Sequence, residues 1–196
     1  MKHIVKAQEP QEFSDWRQKK QYNSDFRDKY ERFKKTTKIK NIVKEALMKE
    51  QGYICCYCER RLESDDSHIE HLLPREVAPE KSLDFDNLLC SCQKDLEKGE
   101  PRHCGNSKGK YLLPISPLEP DCATLFIFGH DGQILPAQED NDKAQKTIEI
   151  LQLNIPKLKA LRRNAIEPFL DSEISVRELQ TFITDYLCQK SEGKYG

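Results

Sequence analysis

The sequence predicts an α+β chain, mostly helical around a small metal-stapled core, with a short β-hairpin and a helical C-terminal region. Three observations carry this. Apolar residues recur at helical spacing in several segments, positions 53–113 show little periodicity but hold most of the cysteines, and one short apolar run turns back through Asp131-Gly132. The 196 residues suffice for one domain with a substantial appendage or for two small domains. The organisation reads as an N-terminal basic and aromatic segment (1–36), a cysteine-rich core (37–113), and the hairpin with the C-terminal helices (114–196), a candidate surface for partner docking.

In chain order, positions 10–36 are polar and basic with interleaved aromatics: Phe13, Trp16, Tyr22, Phe26, Tyr30 and Phe33. Phe26, Tyr30 and Phe33 keep helical spacing. Such a segment either docks its aromatic stripe on a core or offers cations and rings to a phosphate backbone, and docking is the commoner use. Positions 37–51 form an amphipathic helix through Ile39, Ile42, Val43, Ala46 and Leu47, with Gly52 placed to end it. Turn chemistry dominates 53–113, where metal ligation substitutes for core area.

Leu125-Phe126-Ile127-Phe128 and Gln133-Ile134-Leu135 flank His130-Asp131-Gly132, a hairpin signature because Asp-Gly tolerates the positive φ that tight turns demand. Three helical faces follow: Ala144, Ile148 and Leu151; Leu158, Leu161, Ala165 and Phe169; Leu179, Phe182, Ile183 and Tyr186. Pro156 suits a first helical turn, Pro168 kinks or stops a helix, and Ser175 with Glu178 forms a capping box.

Charged residues make up 33% of the chain at a net charge of −1, so an anionic substrate must be met by local patches. No apolar run approaches the roughly 20 residues of a membrane span, and the first residues lack an apolar signal core, which predicts a cytoplasmic protein without membrane contact. In a reducing compartment, eight cysteines with six of them between positions 55 and 104 point to metal binding rather than disulfides. Cys122 and Cys188 read as ordinary buried thiols.

Cys55 and Cys58 form a Cys-x-x-Cys pair suited to one half of a tetrahedral zinc site, with Cys92 and Cys104 as the other half. Eleven residues separate the second two, so a loop must return Cys104 to Cys92. A set of free buried thiols is the alternative. Cys56 and Cys90 are spares. Between the pairs lie Glu70 and His71: phosphodiester hydrolysis needs a base to activate water, which imidazole supplies, and a cation to stabilise developing charge, which a carboxylate can hold. In a strand these neighbours leave opposite faces, whereas at a bend both address one substrate. His68, two residues before Glu70, would share its face and could join a metal site. The Asn87 amide could hold the loop carrying the base, or simply cap a turn. Lys108 and Lys110 lie in a small basic turn suited to phosphate or merely solvated, and Arg75 is a third candidate substrate contact.

In order, Cys55-x-x-Cys58, Ile69-Glu70-His71, Asp86-Asn87-Leu88-Leu89, Ser91-Cys92 and His103-Cys104-x-x-x-Lys108-Gly109 resemble the HNH endonucleases. More closely, they resemble the HNH subunit of Septu-type and retron-linked anti-phage systems. Met1-Lys2-His3-Ile4, Glu59-Arg60-Arg61, Ser116-Pro117-Leu118, Pro120-Asp121-Cys122 and Leu153-Asn154 extend the likeness over nearly the whole chain. The resemblance implies a ββα-metal core in which His71 is the general base, Glu70 ligates a catalytic magnesium or manganese, and Asn87 orients the base. It also implies a structural zinc on Cys55, Cys58, Cys92 and Cys104, and an ABC- or SMC-like ATPase partner. A retron reverse transcriptase with its RNA and DNA is a further candidate partner. One departure stands out: where the family usually carries its third motif residue, just after the last zinc cysteine, this chain has Gly105. Asn106 and His103 are the candidate substitutes.

The sequence thus reads as a metal-dependent HNH endonuclease subunit acting on nucleic acid, DNA ahead of RNA. The alternative is a zinc-stapled module that binds nucleic acid or the ATPase without cutting.

Overall fold

A computed structural model describes residues 1–19, 25–170 and 175–187; Tyr22, Cys188 and the side chain of Tyr186 lie outside these. Helices α1 (Gln11–Gln18), α2 (Phe26–Lys35) and α3 (Thr37–Glu50) precede strand β1 (Ser67–His71). Strand β2 (Leu88–Cys92) follows, then the five-residue helix α4 (Cys104–Lys108). Strands β3 (Phe126–Phe128) and β4 (Ile134–Pro136) lead into α5 (Asp142–Leu151), α6 (Pro156–Ile166) and α7 (Val176–Leu187). Mixed helix and strand content of this kind is α+β, as the patterning predicts. Among the described residues no helix is long and apolar enough to cross a membrane.

Three aromatics of the first segment are structural. Phe13, Trp16 and Phe33 are buried and their rings pack on one another at 5.6–6.4 Å between centroids, while Phe26 stays exposed. Helix α3 buries Val43 and Leu47 of its predicted face together with Met48, and ends where Gly52 takes positive φ and Tyr53 N–H bonds back to the Met48 carbonyl.

β1 and β2 pair antiparallel with Glu70 opposite Leu89 and His68 opposite Ser91. Helix α3 packs on this pair, Ser67 Oγ lying 3.8 Å from Met48 Sδ and Gln51 bonding both the N–H and the carbonyl of Cys90. Helix α4 also lies against β2, its Gly105 N–H donating to Ser91 Oγ at 3.2 Å. Ser107 Oγ donates to the Ile150 carbonyl and so ties α4 to α5.

The β3–β4 hairpin forms as predicted, with Phe128 opposite Ile134. Its Gly132 is required twice over: φ is +81°, and a Cβ there would lie 2.0 Å from the Lys159 carbonyl oxygen. The Asn154 amide bonds the N–H and carbonyl of Ile134, both at 2.9 Å, which docks the hairpin on the chain that enters α6. The last helices pack less fully than their patterns predict. In α6 only Leu158 is buried, and Leu161 of α6 with Phe182 and Ile183 of α7 stand about half exposed. Pro156 begins α6, a short 3₁₀ turn at Glu167–Phe169 carries Pro168, and Ser175 and Glu178 exchange the expected capping-box bonds.

Candidate metal and catalytic site

The loop after β2 returns because Gln93 holds it: its Oε1 accepts from His103 N–H and its Nε2 donates to the Pro101 carbonyl. Cys55, Cys58, Cys92 and Cys104 consequently converge, with every pair of sulfurs within 4.8 Å and Cys58 and Cys92 at 3.7 Å. A tetrahedral zinc with bonds of about 2.3 Å would set its sulfurs about 3.8 Å apart, so the quartet can hold such an ion. Its electrostatics suit a cation. Burial would raise Cys55, yet hydrogen bonds from the surrounding thiols, Cys104 first, hold it well below the ordinary value. Cys92 is brought down to about 7 by the Cys104 thiol, whereas Cys104 is driven well up by burial and by the neighbouring Cys55. Few negative charges can coexist there until a cation joins them. The spare thiols differ: burial, with the neighbouring Cys55 and Cys92, lifts Cys90 to about 12 against the opposing Lys44, and burial also raises Cys122, whose Sγ lies 3.6 Å from the Met1 carbonyl.

Between Cys56 and Cys58, the buried Tyr57 donates its hydroxyl to Glu70 Oε1 at 3.2 Å, so the cysteine knuckle reaches the carboxylate directly. Lys108 Nζ meets the same oxygen at 2.9 Å and the His71 carbonyl at 2.7 Å. His68 Nε2 lies 3.6 Å from the other oxygen, Oε2. Burial pushes the Glu70 pKa up, but His68 and Lys108 more than offset it and the carboxylate stays ionised below its usual range.

His71 leaves β1 toward Tyr30, whose ring meets it edge-on at 5.3 Å. Its Nε2 lies 3.0 Å from the Ser82 carbonyl, which can only accept; the ring therefore carries its proton on Nε2 and keeps Nδ1 as the basic nitrogen. Burial lowers its pKa to about 4. Asn87 clamps the connecting loop: Oδ1 accepts from Leu73 N–H at 2.7 Å, and Nδ2 donates to the carbonyls of Leu73 and Lys81 at 3.1 Å. Arg75 stacks on Tyr30, its guanidinium 4.3 Å from the ring centre.

Two sequence expectations need correction. The segment after Cys104 is helical rather than a solvated turn, and Lys108 is 1% exposed, turned inward onto Glu70 instead of outward to a substrate; Lys110 alone is exposed there. Of the two candidates to replace the residue missing at Gly105, His103 sets Nδ1 3.1 Å from Cys104 Sγ and 3.8 Å from Cys92 Sγ, against the thiols. Asn106 turns its Nδ2 to the Gln93 carbonyl. The nitrogen beside the second Glu70 oxygen, Oε2, belongs to His68.

Two clefts meet at Tyr30. One of about 340 Å³ is lined by Arg27, Arg75 and Ser82, and one of about 470 Å³ by Lys34, Lys40, Lys44, His68 and Lys94. In the first cleft Arg27 and Arg75 are matched by Glu31 and Glu76, whereas the second sets its lysines against Glu45 alone and so carries a local cationic excess beside β1.

A cysteine quartet that could hold a metal ion joins an antiparallel strand pair to a short helix, with a buried carboxylate and a neutral imidazole at the strand end. Comparison with known proteins narrows this. The chain is 34% identical over 136 residues to a retron Vc95 protein of Vibrio cholerae named as a candidate HNH endonuclease, covering 66% of this chain and 65% of that one. It is 27% identical over 124 residues to the Septu protein PtuB of Bacillus thuringiensis, 59% of this chain and 42% of PtuB. A candidate HNH endonuclease of retron Ec83 from Escherichia coli matches at 26% over 189 residues, 74% and 72% of the two chains. No family model matches. The chain is thus similar to the HNH endonucleases that retron and Septu systems carry, and it spans less than two thirds of the length of the first two relatives.

Proposed function

We propose that this chain is a metal-dependent HNH endonuclease subunit that hydrolyses phosphodiester bonds of nucleic acid, DNA ahead of RNA, in an anti-phage defence complex. The observation that carries the reading is the end of β1, where Glu70 and His71 stand together between the cysteine quartet and the loop clamped by Asn87. In this reading the segment 37–113 is a ββα-metal core, with β1, β2 and α4 as its three elements and a structural zinc on Cys55, Cys58, Cys92 and Cys104.

His71 is the base. At neutral pH it is uncharged, and the proton on Nε2 is held by Ser82, so Nδ1 takes the proton from an attacking water. A pKa of about 4 makes it a weak base in isolation, and the negative charge of Glu70 and of an incoming phosphate favours the protonated ring. Asn87 acts through the backbone: by fixing Leu73 it fixes the loop that leaves His71. Glu70 offers Oε2 to a magnesium or manganese ion, which when bound stabilises charge developing on the phosphate. Lys108 keeps that carboxylate ionised and immobile. The cleft lysines with Arg75 and Lys110 would track the phosphate backbone.

An ABC- or SMC-like ATPase is the partner that the resemblance implies, with a retron reverse transcriptase and its nucleic acid as a further one. The exposed apolar residues of α6 and α7 support docking through the C-terminal region. The second reading, a module that binds without cutting, draws on the Lys108–Glu70 ion pair, which already satisfies one carboxylate oxygen. Elemental analysis and a cleavage assay with the ATPase present separate the two. The nuclease reading expects about one zinc per chain together with magnesium- or manganese-dependent cutting of DNA or RNA. Zinc without cutting of either supports the binding module.

A further inference from the structure

We propose that His68 and Glu70 together form the protein half of the divalent-ion site, the strand supplying the ligand that helix α4 lacks at Gly105. The inference rests on the nuclease reading above and adds to it a ligand and the reason for the glycine. A Cβ built on Gly105 would fall 2.5 Å from Glu70 Oε2 and 2.8 Å from His68 Nε2, so both donor atoms occupy the space from which a helix-borne ligand would grow. A side chain there would displace them. His68 and Glu70 are two apart on β1 and share a face, which is what brings their donors to 3.6 Å. Adjacent ligands of an octahedral ion bound at about 2.1 Å stand about 3.0 Å apart, so a small adjustment of either side chain lets one ion take both.

The other ring nitrogen, Nδ1, is enclosed and has no hydrogen-bond partner among the described residues, so no structural bond of the fold claims this imidazole. The ring is about one quarter exposed and lines the lysine-bearing cleft, so an ion held by His68 and Glu70 would be reached by water and a phosphate oxygen from that cleft. A nitrogen and an oxygen donor favour manganese over magnesium.

The test is manganese titration of the full chain, zinc-loaded and without nucleic acid, followed by electron paramagnetic resonance, with pulsed spectra read for nitrogen coupling. Wild type is expected to bind manganese with nitrogen coupling. His68→Gln is expected to weaken binding by about tenfold or more and to remove the coupling, while His71→Gln keeps both. Zinc content and thermal melting check that each variant folds. Gly105→Ala leaves His68 in the chain but puts a methyl between the donors, and it is expected to weaken binding likewise. If His68→Gln and Gly105→Ala keep affinity and coupling while Glu70→Gln loses the ion, the proposal is overturned and the nuclease reading stands. If wild type binds no manganese, both fall.

Discussion

Lys108 Nζ lies 2.9 Å from Glu70 Oε1, and both side chains are withdrawn from solvent. Each charge is tolerable there only because of the other, since an ion left alone in such a place keeps its desolvation cost without its partner. Lys108→Met should destabilise the zinc-loaded protein by about 3 kcal/mol, measured by urea unfolding. Lys108→Met with Glu70→Gln should recover part of that loss, because the stranded charge is gone. Equal destabilisation by the single and double variants would show that packing around the lysine, not the pair, matters.

His71 predicts a pH dependence. Its folded pKa of about 4 lies below the ordinary 6.5, so the unfolded chain binds the proton first as pH falls. The stability that this residue contributes is complete above about pH 6.5 and is lost progressively down to about pH 4, by about 3 kcal/mol in all. Acid also strips zinc from thiolates, so the measurable quantity is a difference. The gap in unfolding free energy between wild type and His71→Asn should narrow or reverse from pH 7 to pH 4.5 in matched metal buffers. A gap independent of pH would mean that His71 is not buried neutral.

The Tyr57 hydroxyl couples the cysteine quartet to Glu70. Removing the metal with a chelator should therefore both unfold the knuckle and loosen the carboxylate. Tyr57→Phe should keep the zinc, cost about 1 kcal/mol in stability and reduce cleavage. Cys58→Ser should lose zinc, and Cys90→Ser should keep it, because Cys90 stands outside the quartet.

Lys40 and Lys94 line the cleft beside His68. Changing both to alanine should weaken binding of duplex DNA by the assembled complex and reduce the slope of log affinity against log salt by about 2. An unchanged slope would move the substrate path elsewhere.

Much of this arrangement was legible in the residues. The stripe of Val43 and Leu47, Gly52 after the helix, the Asp131-Gly132 turn and the convergence of Cys55, Cys58, Cys92 and Cys104 all rest on local chemistry that spacing reports. Strand β2 was not legible, because all five of its residues are buried, which erases the alternation that marks a half-exposed strand. Helix α1 was hidden by its composition: it buries only Phe13 and Trp16 and has no side-chain cap. Lys108 misled because a lysine among Gly, Asn and Ser reads as solvated, and only the fold brings Glu70 to it. Asn106 and His103 lie next to Gly105 in sequence, yet the donor beside Glu70 Oε2 is His68, its neighbour on the same face of β1, a relationship that only the strand pairing and the close approach of Gly105 reveal.

The most direct test of the central claim is cleavage by His71→Ala, assembled with the ATPase partner in magnesium or manganese, on DNA and on RNA. The account predicts that cleavage is lost while zinc content, manganese binding and partner assembly match the wild type. Cleavage at the wild-type rate by that variant would contradict it, since no imidazole would then be needed to activate the attacking water.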